Sequence, residues 1–231
     1  MTARLGRAVA SMATALFLSA AMPVGPRFLL PTPIGDVSAP IRTMLDRKFA
    51  TVLKQRYDFS CGSASLASLL RFHYDLPVDE AQVFQGMWRN GDRAQIRKLG
   101  FSLLDMKRYL EARGLAANGF KVSLRDIQRR QVPGIALVDM KGYKHFVVIK
   151  GIAGENVLVG DPSRGLMIEP IAHFEQAWNG IYFVIDPDTR AGRFNAGAQW
   201  ASVARAPTNG RFTNPVSLQA LWLTAPFFGE F

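Results

Sequence analysis

A single cysteine, Cys61, and three histidines, His73, His145 and His173, are present among 231 residues. A deprotonated thiol is a strong nucleophile, and acyl chemistry on it needs a base, a group to orient that base and donors for the oxyanion. Cys61 follows Asp58 and Ser60, two good N-cap residues. It precedes Ala64, Leu66, Ala67, Leu69, Leu70 and Phe72, which recur at helical spacing. The spacing predicts a helix as far as Tyr74 with the sulfur in its first turn. There the helix dipole and unpaired N–H groups favour the thiolate. Gly62 leaves the backbone open beside the sulfur. Gln55 lies six residues upstream, within reach to turn its amide toward an oxyanion, and the Cys61 N–H would be the second donor.

His145 starts the apolar run His-Phe-Val-Val-Ile, and Asp161 follows Val157-Leu-Val-Gly directly before Pro162. Two neighbouring antiparallel strands would set Asp161 beside His145. The carboxylate would then accept a hydrogen bond from one imidazole nitrogen and leave the other to face Cys61. A lone cysteine at a helix start is more often a small buried hydrophobe. With Gln55, His145 and Asp161, a nucleophile, a base, an orienting acid and an oxyanion donor are all available in one plausible geometry. His73 and His173, at a helix end and a helix start, are expected to be structural. Asp58 and Ser60 read as caps, with a supporting role for Asp58 the weaker alternative.

One cysteine excludes an intramolecular disulfide and a Cys-rich zinc cluster, and the thiol chemistry requires no metal, nucleotide or other cofactor. The elements that must position these residues fall into two textures. Ser102 to Arg113 and Ser123 to Gln131 are predicted helices, as is a stretch from Asp79 through Met87. Between them, residues 89–130 hold 11 Lys and Arg against four acids, +7 of the net charge of +10. Ile135 to Asp139, His145 to Lys150, Asn156 to Gly160 and Ile181 to Ile185 read as strands, with a short helix from Ile171 to Trp178. Helices first and an antiparallel sheet second give an α+β domain over residues 45–186.

The flanks differ. Arg4 and Arg7 precede an uncharged, mostly small or apolar stretch from Ala8 to Met22 with Ser19-Ala20-Ala21 at a cleavable position, which predicts a signal peptide over residues 1–22. An uncleaved N-terminal membrane anchor is the alternative. Either places the mature domain outside the cytoplasm, in a bacterial periplasm or beyond. Residues 23–44 are expected to be a linker, since five of the 13 prolines fall between Pro23 and Pro40. Residues 187–231 form a C-terminal extension ending in the apolar Leu218 to Phe231. After residue 50 no run approaches the roughly 20 apolar residues of a membrane span. The basic stretch could steer acidic peptides or lipid head groups. Nucleic acid is not expected as a partner, because no aromatic-interleaved, zinc or helix-turn-helix motif accompanies the charge.

Gln55, Asp-Phe-Ser-Cys61-Gly, Gly-Tyr-Lys-His145-Phe-Val-Val and Gly-Asp161-Pro162-Ser163 together resemble the peptidase C39 family over about residues 48–186. The resemblance implies a papain-like cysteine peptidase fold, with Cys61 as nucleophile, His145 as base, Asp161 as orienting acid and Gln55 as oxyanion donor. No G-x-x-x-x-G-K-[ST] loop or transmembrane bundle follows, unlike the family's bacteriocin exporters. The chain looks more like the standalone members of secretion loci, including those of functional amyloid systems. The expected partner is therefore a peptide or protein substrate, such as a secreted or amyloid-forming protein. Two alternatives remain at this level: a catalytically silent peptide-binding accessory or chaperone, and another acyl transfer on the same residues.

Overall fold

A computed structural model describes residues 27–32, 35–40, 43–140, 142–185 and 193–203. The expected signal peptide and the Leu218 to Phe231 tail lie outside the described residues. The chain divides into two units, Met1–Ile41 and Arg42–Phe231.

In the first unit, β1 (Arg27–Thr32) pairs antiparallel with β2 (Gly35–Pro40), and Arg27 is opposite Pro40. The extended run expected here is thus folded back on itself. Pro31 and Pro40 fit because each strand of a two-stranded ribbon has one edge that makes no ladder bonds.

The second unit begins with α1 (Met44–Lys48), α2 (Cys61–His73), α3 (Glu80–Asn90), α4 (Arg93–Leu99) and α5 (Leu103–Glu111). It continues through β3 (Ala117–Lys121), α6 (Leu124–Arg130), β4 (Gly134–Met140), β5 (Tyr143–Ala153), β6 (Asn156–Asp161), β7 (Gly165–Pro170), α7 (Ile171–Ala177), β8 (Trp178–Ile185) and α8 (Gly197–Ser202). Capping boxes start four of the helices. Thr43, Asp79, Ser102 and Ser123 each accept from the N3 amide while the N3 side chain accepts from the cap amide.

Six strands form one antiparallel sheet in the order β3-β8-β4-β5-β6-β7. Alternation along β5 sends successive side chains to opposite faces. Phe146 and Val148 pack with Leu66, Leu69, Leu70, Met106 and Leu110 from α2 and α5. Val147 and Ile149 pack instead with Ile127 of α6 and Phe174 of α7. The central strands are covered on both faces, so they are apolar throughout rather than alternating. The β5–β6 register shifts between Ile149 and Gly151, making Lys150 the extra residue of a bulge.

Several elements go beyond the sequence expectation: α4, β3, β7 and α8. Residues 49–60 hold only turns and bends between α1 and α2. Among the described residues no helix is long and apolar enough to cross a membrane.

Candidate active site

Cys61 is the first residue of α2 and only 5 % exposed. Ser60 holds the N-cap position without capping: its hydroxyl bonds the Tyr57 N–H at 3.1 Å and C=O at 3.0 Å. No side chain covers the first-turn amides, so the positive end of the helix faces the sulfur unblocked. Asp58 does not cap either; its carbonyl accepts a 2.6 Å hydrogen bond from the Tyr143 hydroxyl. Gly62 serves packing more than access. A Cβ there would stand 3.0 Å from Phe101 Cβ and 3.0 Å from Met106 Cε.

His145 and Asp161 meet. His145 Nε2 lies 2.9 Å from Asp161 Oδ1, and both residues are buried. The same oxygen accepts the Ser163 N–H at 2.7 Å, the Ser163 hydroxyl at 2.7 Å and the Arg164 N–H at 3.1 Å. This turn just after β6 fixes the carboxylate before it meets the ring. Burial by itself would push the Asp161 carboxyl up. The His145 hydrogen bond and charge, joined by Ser163, more than reverse it and hold the group below the usual carboxylate range.

Burial likewise opposes a charged His145 ring. Asp161 and Cys61 outweigh it, through hydrogen bonding and charge, and hold the His145 pKa up to about 9. The nitrogen away from Asp161, Nδ1, is buried and makes no full hydrogen bond. The thiol is the other group acting on the ring. The arrangement can move a proton from sulfur to imidazole and keep the resulting cation against a carboxylate.

Gln55 is tied in by its backbone, its N–H donating to the Pro162 carbonyl at 3.0 Å, one residue beyond Asp161. Its Nε2 donates to the Tyr57 carbonyl at 3.1 Å, and its Oε1 is buried without a partner. That bond orients the amide and leaves its second N–H hydrogen uncommitted.

A cleft of about 530 Å³ opens beside Cys61, walled by Phe59, Leu99, Phe101, Leu137, Tyr143 and Phe146. Arg97, Lys98 and Lys144 supply its cationic groups and Asp58 an anionic one. A second cavity, about 260 Å³, backs onto Asp161 through Val147, Val159, Met140 and Met167 without reaching the sulfur. Among the described residues no group of three or more His, Cys, Asp or Glu side chains is placed to hold a metal ion. His173 is exposed and bonded to Glu169 at 2.7 Å, whereas His73 is buried with neither ring nitrogen paired.

The sequence model of the peptidase C39 family matches residues 50–190. The chain belongs to the peptidase C39 family. Two relatives are each named a probable functional amyloid protease, FapD. The one from Pseudomonas aeruginosa is 41 % identical over 151 residues, 65 % of this chain and 67 % of the relative. The one from Pseudomonas fluorescens is 42 % identical over 145 residues, 63 % of this chain and 64 % of the relative. The match thus spans about two thirds of those relatives' length. Among solved structures, a double-glycine-motif protease from a transporter, in complex with its leader peptide, superposes with a TM-score of 0.50 at 26 % identity. That superposition covers 58 % of this chain and 89 % of the other. The peptidase domain of Streptococcus ComA shares the fold, with a TM-score of 0.51 at 20 % identity over 58 % of this chain and 96 % of that domain.

Contacts with no local sequence signal complete the site. Ser65 Oγ donates 2.9 Å to the Phe146 carbonyl, and Tyr143 reaches Asp58 across 85 residues of chain. The Ser63 hydroxyl lies 3.1 Å from the buried Glu80 carboxylate, which Arg56 meets at 3.4 Å, fastening the segment before Cys61 to α3. The Ser163 N–H contact had a legible signal, since an Asp side chain commonly accepts from the backbone N–H two residues on.

Proposed function

We propose that the protein is an exported cysteine peptidase that cleaves a peptide bond through an acyl-enzyme on Cys61. His145 takes the thiol proton and later delivers it to the leaving amine, while Asp161 holds the ring. The Cys61 N–H and the Gln55 amide receive the tetrahedral oxyanion. The observation that carries the reading is the buried 2.9 Å His145–Asp161 pair, whose second ring nitrogen is left for the thiol. Export rests on the residues from Arg4 to Met22. A secreted or amyloid-forming protein as substrate rests on the names of the Pseudomonas relatives. The Phe59–Phe101–Phe146 wall and the Arg97–Lys98 rim suit a peptide with apolar and acidic side chains.

The test incubates the full chain with a peptide library made from a bacterial secretome and reads new termini by mass spectrometry. The wild type is expected to cut, Cys61→Ala not at all, and His145→Ala at least about a thousandfold more slowly. Identical peptides from the wild type and Cys61→Ala would overturn the reading in favour of a peptide-binding accessory.

A further inference from the structure

The thiol and the imidazole sit on separate elements, the head of α2 and the start of β5, with 84 residues between them. Proton transfer between them depends on the separation of those two elements, and misplacement by about 1 Å can cost about a hundredfold in rate. Backbone ladders hold β5 to β4 and β6, and α2 has no such bonds to any strand. Side chains bridge instead, and two of these bonds come from residues flanking Cys61 and His145 in sequence. On one side of the site, the Tyr143 hydroxyl donates to the Asp58 carbonyl at 2.6 Å. On the other, the Ser65 hydroxyl donates to the Phe146 carbonyl at 2.9 Å.

The positions bracket the site on both elements. Asp58 and Ser65 lie either side of Cys61, and Tyr143 and Phe146 lie either side of His145. The two bonds run in opposite directions, one from strand side chain to loop backbone, the other from helix side chain to strand backbone. These two bonds add directional restraints on the helix head to the packing of Phe146 and Val148 against Leu66, Leu69 and Leu70. Tyr143 also stands next to the chemistry. Its ring centroid is 6.2 Å from that of His145, and it lines the cleft beside Cys61.

We infer that Tyr143 and Ser65 are positioning residues of the peptidase site, a pair of hydrogen-bonded staples that set the distance from the Cys61 sulfur to the His145 ring. The inference rests on the peptidase reading above. The staples differ in environment. Ser65 is fully buried, and its bond is a permanent part of the core. Tyr143 is 49 % exposed at the cleft mouth, so water can take over its bond with little effect on folding.

The test is the second-order rate of Cys61 alkylation by iodoacetamide at pH 7, read on the full chain in four proteins: wild type, Tyr143→Phe, His145→Ala and the double variant. Thermal unfolding is measured beside it. His145→Ala is expected to slow alkylation at least about tenfold, and Tyr143→Phe by about three- to tenfold with an unchanged melting temperature. In the double variant Tyr143→Phe should have no further effect, because no ring is left to position. Ser65→Ala should behave in the same way, and if it does not fold, the Tyr143→Phe cycle decides alone. Wild-type rates in Tyr143→Phe, or an equal slowing in both backgrounds, would overturn the staples and leave the peptidase reading intact. No effect of His145→Ala would overturn the peptidase reading itself.

Discussion

His73 and His145 are equally buried, at 1 % exposure each, and the fold treats them in opposite ways. At His145 a carboxylate and a thiol offset the burial, and the pKa is held up to about 9. At His73 burial acts unopposed and the charges of Lys150 and Arg193 add to it, driving the pKa down to about 2. Neither His73 nitrogen has a hydrogen-bond partner. Around neutral pH, then, one ring is a cation beside an anion and the other is a neutral filler in the core. Burial does not make a functional histidine; a buried partner of opposite charge does.

Lys150 completes the contrast. The β5 bulge turns this lysine inward, and burial drives its pKa down to about 7. Its Nζ donates to the Thr51 carbonyl at 2.8 Å and lies 5.5 Å over the Phe72 ring, and neither group carries a compensating charge.

Removing the anion beside His145 has the largest expected effect. Asp161→Asn takes away the carboxylate that stabilises the imidazolium and is expected to lower the peptide cleavage rate by about a thousandfold or more. It also changes the pH profile of stability. A histidine whose folded pKa exceeds its unfolded 6.5 contributes stability that is present below about pH 6.5 and is lost as pH rises through about 9. Urea melts between pH 6 and 10 should show that loss as a shrinking stability difference between wild type and Asp161→Asn, because the opposite pH trend from Lys150 is common to both proteins.

Lys150→Met sharpens the other half. A lysine whose folded pKa is lowered costs stability that builds up as pH falls through the window in which the unfolded chain binds a proton that the folded chain does not. The cost is full below about pH 7 and vanishes toward the unfolded value near 10.5. The variant should therefore gain a few kcal/mol at pH 6, less the lost bond to Thr51, and gain nothing at pH 10. Denaturant midpoints at the two pH values check it, and cleavage activity should be unchanged at both.

His73→Leu is the mildest change. It breaks no hydrogen bond, so stability at pH 7 should move by no more than about 1 kcal/mol. At pH 5, where the unfolded histidine is protonated and His73 is not, the variant should be more stable by about 2 kcal/mol. Unfolding at the two pH values measures both numbers.

The contrast also explains what could be read from the sequence. The chain order Cys61, His145, Asp161 and the short strands carrying the last two were legible because each residue sits at the end of a strongly patterned element. The helices opened by Asp79, Ser102 and Ser123 were legible from their N-cap residue types and the apolar residues that follow. Helix α4 was not, since Ile96 is its only buried residue. Strand β3, Ala117–Lys121, buries only its first residue and shows no alternation. The prolines of residues 27–40 hid a hairpin in which ladder bonds are needed along only one edge of each strand. The burial of Lys150 depends on a register shift, and the Tyr143–Asp58 and Ser65–Phe146 bonds link residues more than 80 apart. No local pattern encodes such contacts, because they exist only once the sheet and α2 have packed.

If Cys61, His145 and Asp161 work as one unit around the His145 ring, a nitrogen-15 NMR titration of the three histidine rings will show it. His145 is expected to stay protonated through pH 8 and to lose its proton near pH 9. Its midpoint should fall in both Cys61→Ala and Asp161→Asn, and His73 should stay neutral down to pH 5. A His145 ring that titrates at or below pH 6.5 in the wild type, or one indifferent to both substitutions, would contradict it.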